Sequence, residues 1–370
     1  MAVTPTLVTG GAVIIDISPL TFVATIAIAL LGPALTLMFD VWWGRTGGAS
    51  LRAAFAVFSA GSASSLVALA LLRPDLNPLL PLPLAALAGL ASIIAAAPVR
   101  LLGFGAAAAV AFAWLWSLIV FTPVAIALFG AEGILGSALG TLDLAGALPV
   151  LVAAGAAGLA VLLISPGRPS ARAPARPLVL SAAFAAVWML WILWLVGLEL
   201  ALDDVTGRII LNAVVAPLAS AITWLMVQRI RNAQTTVAAA VGGLLCGLVA
   251  ITPGCGYLDP FGAAMTGSIA GAVCAVAVYA LLGHARHPAW LLVTVLIVAA
   301  SIGVGLLGAF STRSGLVFTG QPEVLLSQFA SAAVVTGYAL VVSAPLWLLV
   351  RGSLSRRAVP VVPGSEPSAH

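Results

Sequence analysis

Apolar residues in this chain gather into runs of about twenty, and short clusters of Gly, Pro, Arg and Asp break them apart. A helix rises about 1.5 Å per residue, so a run of that length crosses a hydrocarbon core of roughly 30 Å. Such runs fall at 20–39, 52–72, 79–98, 103–129, 143–164, 178–201, 208–230, 236–253, 258–282, 288–310 and 323–350. The pattern predicts an all-α integral membrane protein with eleven transmembrane helices.

Composition agrees. Of 370 residues, 62% are apolar and 7% charged, where a soluble domain carries roughly a quarter charged. A water-facing fold has no room for that much apolar surface. Every basic residue is Arg, and with the N-terminus outside, the inner loops and tail collect Arg45, Arg52, Arg100, Arg168, Arg172, Arg176, Arg229, Arg231, Arg286, Arg351, Arg356 and Arg357. Only Arg73, Arg208 and Arg313 stay outside, which is the bias that positive-inside insertion predicts. The expected setting is the cell's inner (plasma) membrane, with the C-terminus cytoplasmic.

The segment Ser165-Pro-Gly-Arg-Pro-Ser-Ala-Arg-Ala-Pro-Ala-Arg176 is basic and proline-rich, and five runs precede it while six follow. It divides the chain into an external lead-in (1–18), a membrane domain (19–350) and a cytoplasmic tail (351–370). Within the domain, a first half (19–164) and a second half (178–350) flank a cytoplasmic linker (165–177). Five spans followed by five in opposite orientation, plus a final helix, is the arithmetic of an inverted repeat.

The first charge is Asp16 and no basic stretch precedes the first run, so a cleaved signal peptide is not expected. The net charge of +4 comes from loop arginines, and nucleic-acid binding has no support. Cys246, Cys255 and Cys274 lack metal or disulfide spacing and read as small packing residues. No cofactor is implied. No nucleophile–base–acid set or phosphate loop appears, so enzymatic activity is not expected. Gly243 with Gly247, and Gly267 with Gly271, mark close helix packing. Trp188, Trp191 and Trp194 make a stripe on the sixth run, read as lipid-facing or subunit-packing in preference to a solute platform.

The segment Gly247-Leu-Val-Ala-Ile-Thr-Pro-Gly-Cys-Gly-Tyr257, followed by the small-residue helix Gly262 to Cys274, resembles the ammonium transporter/Rh family. Asn212-Ala-Val-Val-Ala through Trp224 resembles its seventh span, Phe121-Thr-Pro-Val-Ala125 through Gly130 the end of its fourth, and Leu142-Asp-Leu-Ala-Gly146 the start of its fifth. Pro33 and Gln328 also sit at corresponding places, so the similarity covers most of the chain.

The resemblance implies an eleven-helix fold in two pseudo-symmetric halves, a pore through each protomer and a homotrimer. It also implies an external aromatic shelf at Phe129 and an anchoring carboxylate at Asp143 near the mouth. The expected gate positions are Ala88 and Leu198, and the recruiting hydroxyl falls near Leu202. The two lumen histidines of the family fall on Leu151 and Leu296, and His284, His287 and His370 lie too far away to replace them.

Glu199 stands where the family carries a neutral amide. Two readings are open: with Phe129, Asp203 and Asp204 it forms an acidic, aromatic mouth that concentrates cations, or it reaches headgroup water at a helix end. Asn212 is either a buried helix-to-helix hydrogen bond or pore lining.

An apolar lumen cannot replace the hydration of an ion. The chain is thus expected to pass a small neutral solute such as ammonia without carrying charge. The alternatives are a non-conducting sensor or assembly protein, and a pore for a different permeant such as an organic cation.

Overall fold

The computed structural model describes residues 19–43, 48–72, 81–165, 176–200, 202–232, 234–282 and 289–355. The lead-in 1–18, most of the linker (166–175) and the distal tail (356–370), with His284, His287 and His370, lie outside them.

The described residues are helical, with one isolated β-bridge between Leu258 and Ser311. In chain order the helices are α1 (Pro19–Trp42), α2 (Gly48–Leu72), α3 (Pro81–Leu101), α4 (Ala106–Trp116), α5 (Thr122–Phe129), α6 (Ala153–Ile164), α7 (Pro177–Gly197), α8 (Asp204–Asn232), α9 (Val237–Ile251), α10 (Pro260–Leu282), α11 (Ala289–Thr294), α12 (Ala300–Phe310), α13 (Leu316–Thr319) and α14 (Glu323–Ser355). Four π-helical turns occur among them, Ser117–Phe121, Ile134–Ala138, Leu148–Val152 and Val295–Ala299. The first joins α4 to α5, the third opens α6, and the fourth joins α11 to α12.

Nine helical stretches among the described residues are long and apolar enough to cross a membrane, and Leu148–Ile164 and Val237–Ile251 are shorter apolar helices. At 15 residues α9 is about 22 Å long, less than a full crossing. Both short helices stop where the sequence offers turn residues: 143–147 forms a capped loop before Leu148, and Pro253, Gly254 and Gly256 break the chain after Ile251. The run 236–253 ends near the observed break, whereas the run that began at 143 took in the loop before Leu148.

α3 and the stretch Ala289–Phe310 are the most enclosed, with 83% and 72% of their apolar windows buried, whereas α2, α7 and α14 leave broad apolar faces exposed. Glycines let the enclosed rods touch. A β-carbon on Gly267 would overlap the Ala216 carbonyl, and one on Gly303 the Ala250 carbonyl. Gly243 and Gly247 press in the same way on Ala221 and Pro217 of α8, so the paired glycines do mark packing.

Prolines inside helices leave carbonyls without their usual amide partner, a heavy cost in lipid. Pro217 cannot bond the Ala213 carbonyl four residues back, and the Trp188 indole of α7 donates there instead at 2.8 Å. Pro123 leaves the Ile119 carbonyl in the same position, and the Tyr338 hydroxyl of α14 donates to it. The tryptophan stripe therefore points inward: Trp191 and Trp194 are fully buried in the protomer, and Trp191 donates to the Thr252 hydroxyl at 3.0 Å. This corrects the lipid-facing or subunit-packing expectation: Trp188 and Trp191 find acceptors inside the protomer, while Trp194 is buried with its N–H unpaired among the described residues.

Replacing Trp188 with Phe is expected to lower stability in detergent by about 1–3 kcal/mol, since the Ala213 carbonyl is left unpaired. Adding Pro217→Ala restores an N–H for that carbonyl. The double variant should melt above Trp188→Phe alone, and strictly additive losses would refute the pairing.

Candidate functional site

The stretch Thr252–Leu258 turns between α9 and α10 and gathers bonds from several elements. Asn212 of α8 donates through Nδ2 to the carbonyls of Cys255 (2.9 Å) and Leu258 (2.7 Å). The Leu144 N–H donates to Pro253 O at 3.1 Å, the Thr312 N–H to Tyr257 O at 3.0 Å, and the Arg208 guanidinium to Gly256 O at 3.4 Å. Thr252 receives Trp191 and itself donates to Leu248 O at 2.7 Å. Asn212 thus makes a buried bond from a helix to a turn, where the sequence reading had it reaching another helix or lining a pore.

Asp143 is buried on the loop next to this turn. Its carboxylate accepts from the N–H groups of Ala147 (2.8 Å) and Leu148 (2.7 Å), where the helix opening at Leu148 has amides without intrahelical partners. Gly146 permits the tight loop with φ of 76°. A β-carbon on that glycine would meet the Phe129 ring at 3.2 Å, so Phe129 lies against the Asp143 loop with 41% of its surface exposed. The Gln328 amide of α14 donates to Leu142 O at 2.8 Å and fixes the loop from the other side. Asp143 thus caps the helical segment that opens at Leu148.

Glu199 follows the end of α7. Its Oε2 accepts from the Thr206 hydroxyl at 2.7 Å, and the Asp203 N–H donates to the Thr206 oxygen at 3.1 Å. Asp203 also accepts from the Val205 N–H at 2.7 Å, which starts α8. Glu199 is therefore a brace between α7 and α8, partly buried. Burial pushes its carboxyl upward, the Thr206 bond opposes that, and Asp203 adds to it.

The two positions expected at the histidines both fall on π turns. Leu151 lies in Leu148–Val152, fully buried, and Leu296 in Val295–Ala299, 4% exposed, and the two turns are in contact. Gly155 allows the approach, since a β-carbon there would stand 3.1 Å from the Leu296 β-carbon. π turns recur at functional sites because they re-aim side chains within a helix. Ala88 of α3 is fully buried, and Leu198 is half-buried beyond the end of α7. Leu202 is 70% exposed in the loop before α8.

Sequence reading did not single out Thr206, and it gave Arg208 only as an outside charge and Thr252 only as part of the family-like segment. The spacing Asp203-x-x-Thr206 is a helix-capping signal and was the available clue. Nothing in the letters marks Thr252 as the partner of Trp191.

Residues 85–358 match the Ammonium Transporter Family. An ammonium transporter of Bacillus subtilis is 36% identical over 172 residues, covering 46% of this chain and 42% of that protein. Ammonium transporter Amt1 of Archaeoglobus fulgidus is 32% identical over 243 residues, covering 62% of this chain and 60% of that protein. The matched portion thus spans less than two thirds of either relative. The fold is also that of Candida albicans Mep2, with a TM-score of 0.76 at 19% identity over 90% of this chain and 84% of that one. A sensor Amt protein aligns with a TM-score of 0.74 at 18% identity, over 91% and 94% of the two chains. With its helical fold and the match running from α3 to the end of α14, the chain belongs to the ammonium transporter family.

Proposed function

We propose that this protein is a pore for ammonia, one passage per protomer, that carries no net charge. The observation behind this reading is the contact between the two π turns, where leucines occupy both positions at which the family's imidazoles fall. Stripping water from an ion costs on the order of 20 kcal/mol in the idealised low-dielectric limit. Transferring a neutral hydrogen-bonding group costs roughly 2–7 kcal/mol. That difference selects the uncharged species.

The arrangement we propose around the pore is eleven spans, with two inverted five-helix halves and a final helix, in a homotrimer in the plasma membrane. The N-terminus is outside and the C-terminus cytoplasmic. Both short helices then complete their crossings with a turn, Thr252–Leu258 at one and the Asp143 loop at the other. Phe129, Asp143 and Glu199 form the external mouth, with Ala88, Leu198, Leu151 and Leu296 along the passage. Leu202 stands at the rim.

A second reading has an observation of its own. Leu151 has no exposed surface and Leu296 almost none, so the passage is shut between them in this conformation. A protein that stays shut would sense a ligand at the mouth, and a sensor Amt protein shares the fold.

Proteoliposomes given an ammonium pulse are expected to show internal alkalinisation faster than empty vesicles, with no accompanying current on a supported membrane. Absence of the pH change supports the sensing reading, and an ammonium current refutes a neutral passage. Converting Leu151→His and Leu296→His together should hydrate the passage and raise any ammonium-dependent current well above the wild type. If the folded double variant conducts as the wild type does, the leucines are not what sets the selectivity.

A further inference from the structure

A cavity opens where α1 and α3 finish and α2 begins, walled by the last turns of the first two and the first turns of the third. None of Ala88, Leu151, Leu198 and Leu296 lines it. It holds about 620 Å³ of space, its mouth included. Small side chains leave that space: α2 and α3 face it with Ser50, Ala53, Ala54, Ala96 and Ala97, which are too short to fill the gap between the rods. From Trp43 to Leu35 along α1 the cavity runs about 12 Å at the rise of a helix. Its deep end is apolar, lined by Leu35, Val57 and Ile94.

Charge enters at the end where the helices stop. Asp40 stands in the last turn of α1 and is 9% exposed, and Arg100 stands in the last turn of α3 and is partly exposed. Both line the cavity, as do the stacked rings of Phe39 and Trp43, whose centroids are 5.0 Å apart. A carboxylate buried to this degree needs positive charge and hydrogen-bond donors around it. An aromatic wall beside it adds to the attraction for a cation. Arg100 carries its N–H donors in a flat fork that suits a phosphate, and its Nη1 donates to Phe104 O at 3.4 Å. The cavity therefore shows both signs of charge at one level and hydrocarbon below them. Its complement is a molecule with a cation, an anion and an apolar chain.

We propose that this cavity binds a zwitterionic phospholipid, phosphatidylethanolamine, drawn from the leaflet at which α1 and α3 end. The ammonium meets Asp40 against the Phe39 and Trp43 rings, and the phosphate meets Arg100. One acyl chain runs down between Leu35, Val57 and Ile94. A choline headgroup has no N–H to give the carboxylate, and phosphatidylglycerol brings a second negative charge with no cation. In the orientation proposed above, the leaflet is the cytoplasmic one. The site does not depend on the ammonia reading, since no residue of the passage lines it.

The test uses the full chain in detergent and measures lipid retained per protomer by native mass spectrometry. Phosphatidylethanolamine, phosphatidylcholine and phosphatidylglycerol with identical chains are compared. The wild type should hold phosphatidylethanolamine about tenfold more tightly than either of the others. Asp40→Asn should bring it down to the level of phosphatidylcholine, and Arg100→Gln should weaken it about tenfold. Ala97→Leu fills the cavity without touching either charge and should remove the tight site.

Equal retention of all the lipids by the wild type is the mark of a nonspecific shell, or of Asp40 and Arg100 serving only each other, and overturns the proposal. A preference for phosphatidylethanolamine that survives both Asp40→Asn and Ala97→Leu overturns it as well. Soluble glycerophosphoethanolamine competing as strongly as the lipid would also overturn it, because the apolar floor would then contribute nothing. If Asp40→Asn does not fold, survival of the preference in Arg100→Gln and Ala97→Leu is the overturning result.

Discussion

The Thr252–Leu258 turn places peptide groups beyond the end of a helix too short to cross the bilayer, in a setting where water is scarce. Unpaired carbonyls there are costly enough to rule out an irregular loop unless protein supplies the donors. Asn212, Arg208, Leu144 and Thr312 supply them, from α8, from the Asp143 loop and from the segment after α12. Because these donors come from distant parts of the chain, satisfying one turn fixes the relative positions of elements from both halves. The arrangement at this end of the molecule follows from that requirement.

The same accounting explains the aromatic residues in the interior. Prolines in α8 and α5 would weaken their helices by leaving carbonyls bare, and side chains from α7 and α14 restore the missing donors. Glycines do the complementary work of bringing backbones close enough for dispersion to act, which is the main attraction between helices when lipid is as apolar as leucine. Polar bonds thus set position, and small residues set distance.

Two carboxylates near this turn illustrate how differently one chemistry is used. Asp143 spends both oxygens on the amides that open a helix, so its charge is absorbed by structure. Glu199 commits one oxygen and leaves the other dry. Further in, the touching π turns bury Leu151 and Leu296, and apolar side chains meet there without a polar group between them among the buried residues of the two turns.

Hydrophobic period and length were enough to establish an all-helical membrane fold, because a run of about twenty apolar residues has few other stable outcomes. The Thr-Pro-Gly-Cys-Gly signature and the Asp143 segment pointed to the family, and the glycine pairs to close packing, since each depends on local backbone chemistry. The direction of the tryptophan stripe was not legible: Trp188 and Trp191 turn inward, where Ala213 and Thr252 offer acceptors, and those sit on another helix and on the turn after α9. Nor did the letters separate a structural role for Asn212 from pore lining, or reveal that Thr206 grips Glu199. Such pairings depend on which carbonyl or hydroxyl is left over after every helix has bonded itself, and only the packed tertiary structure decides that remainder.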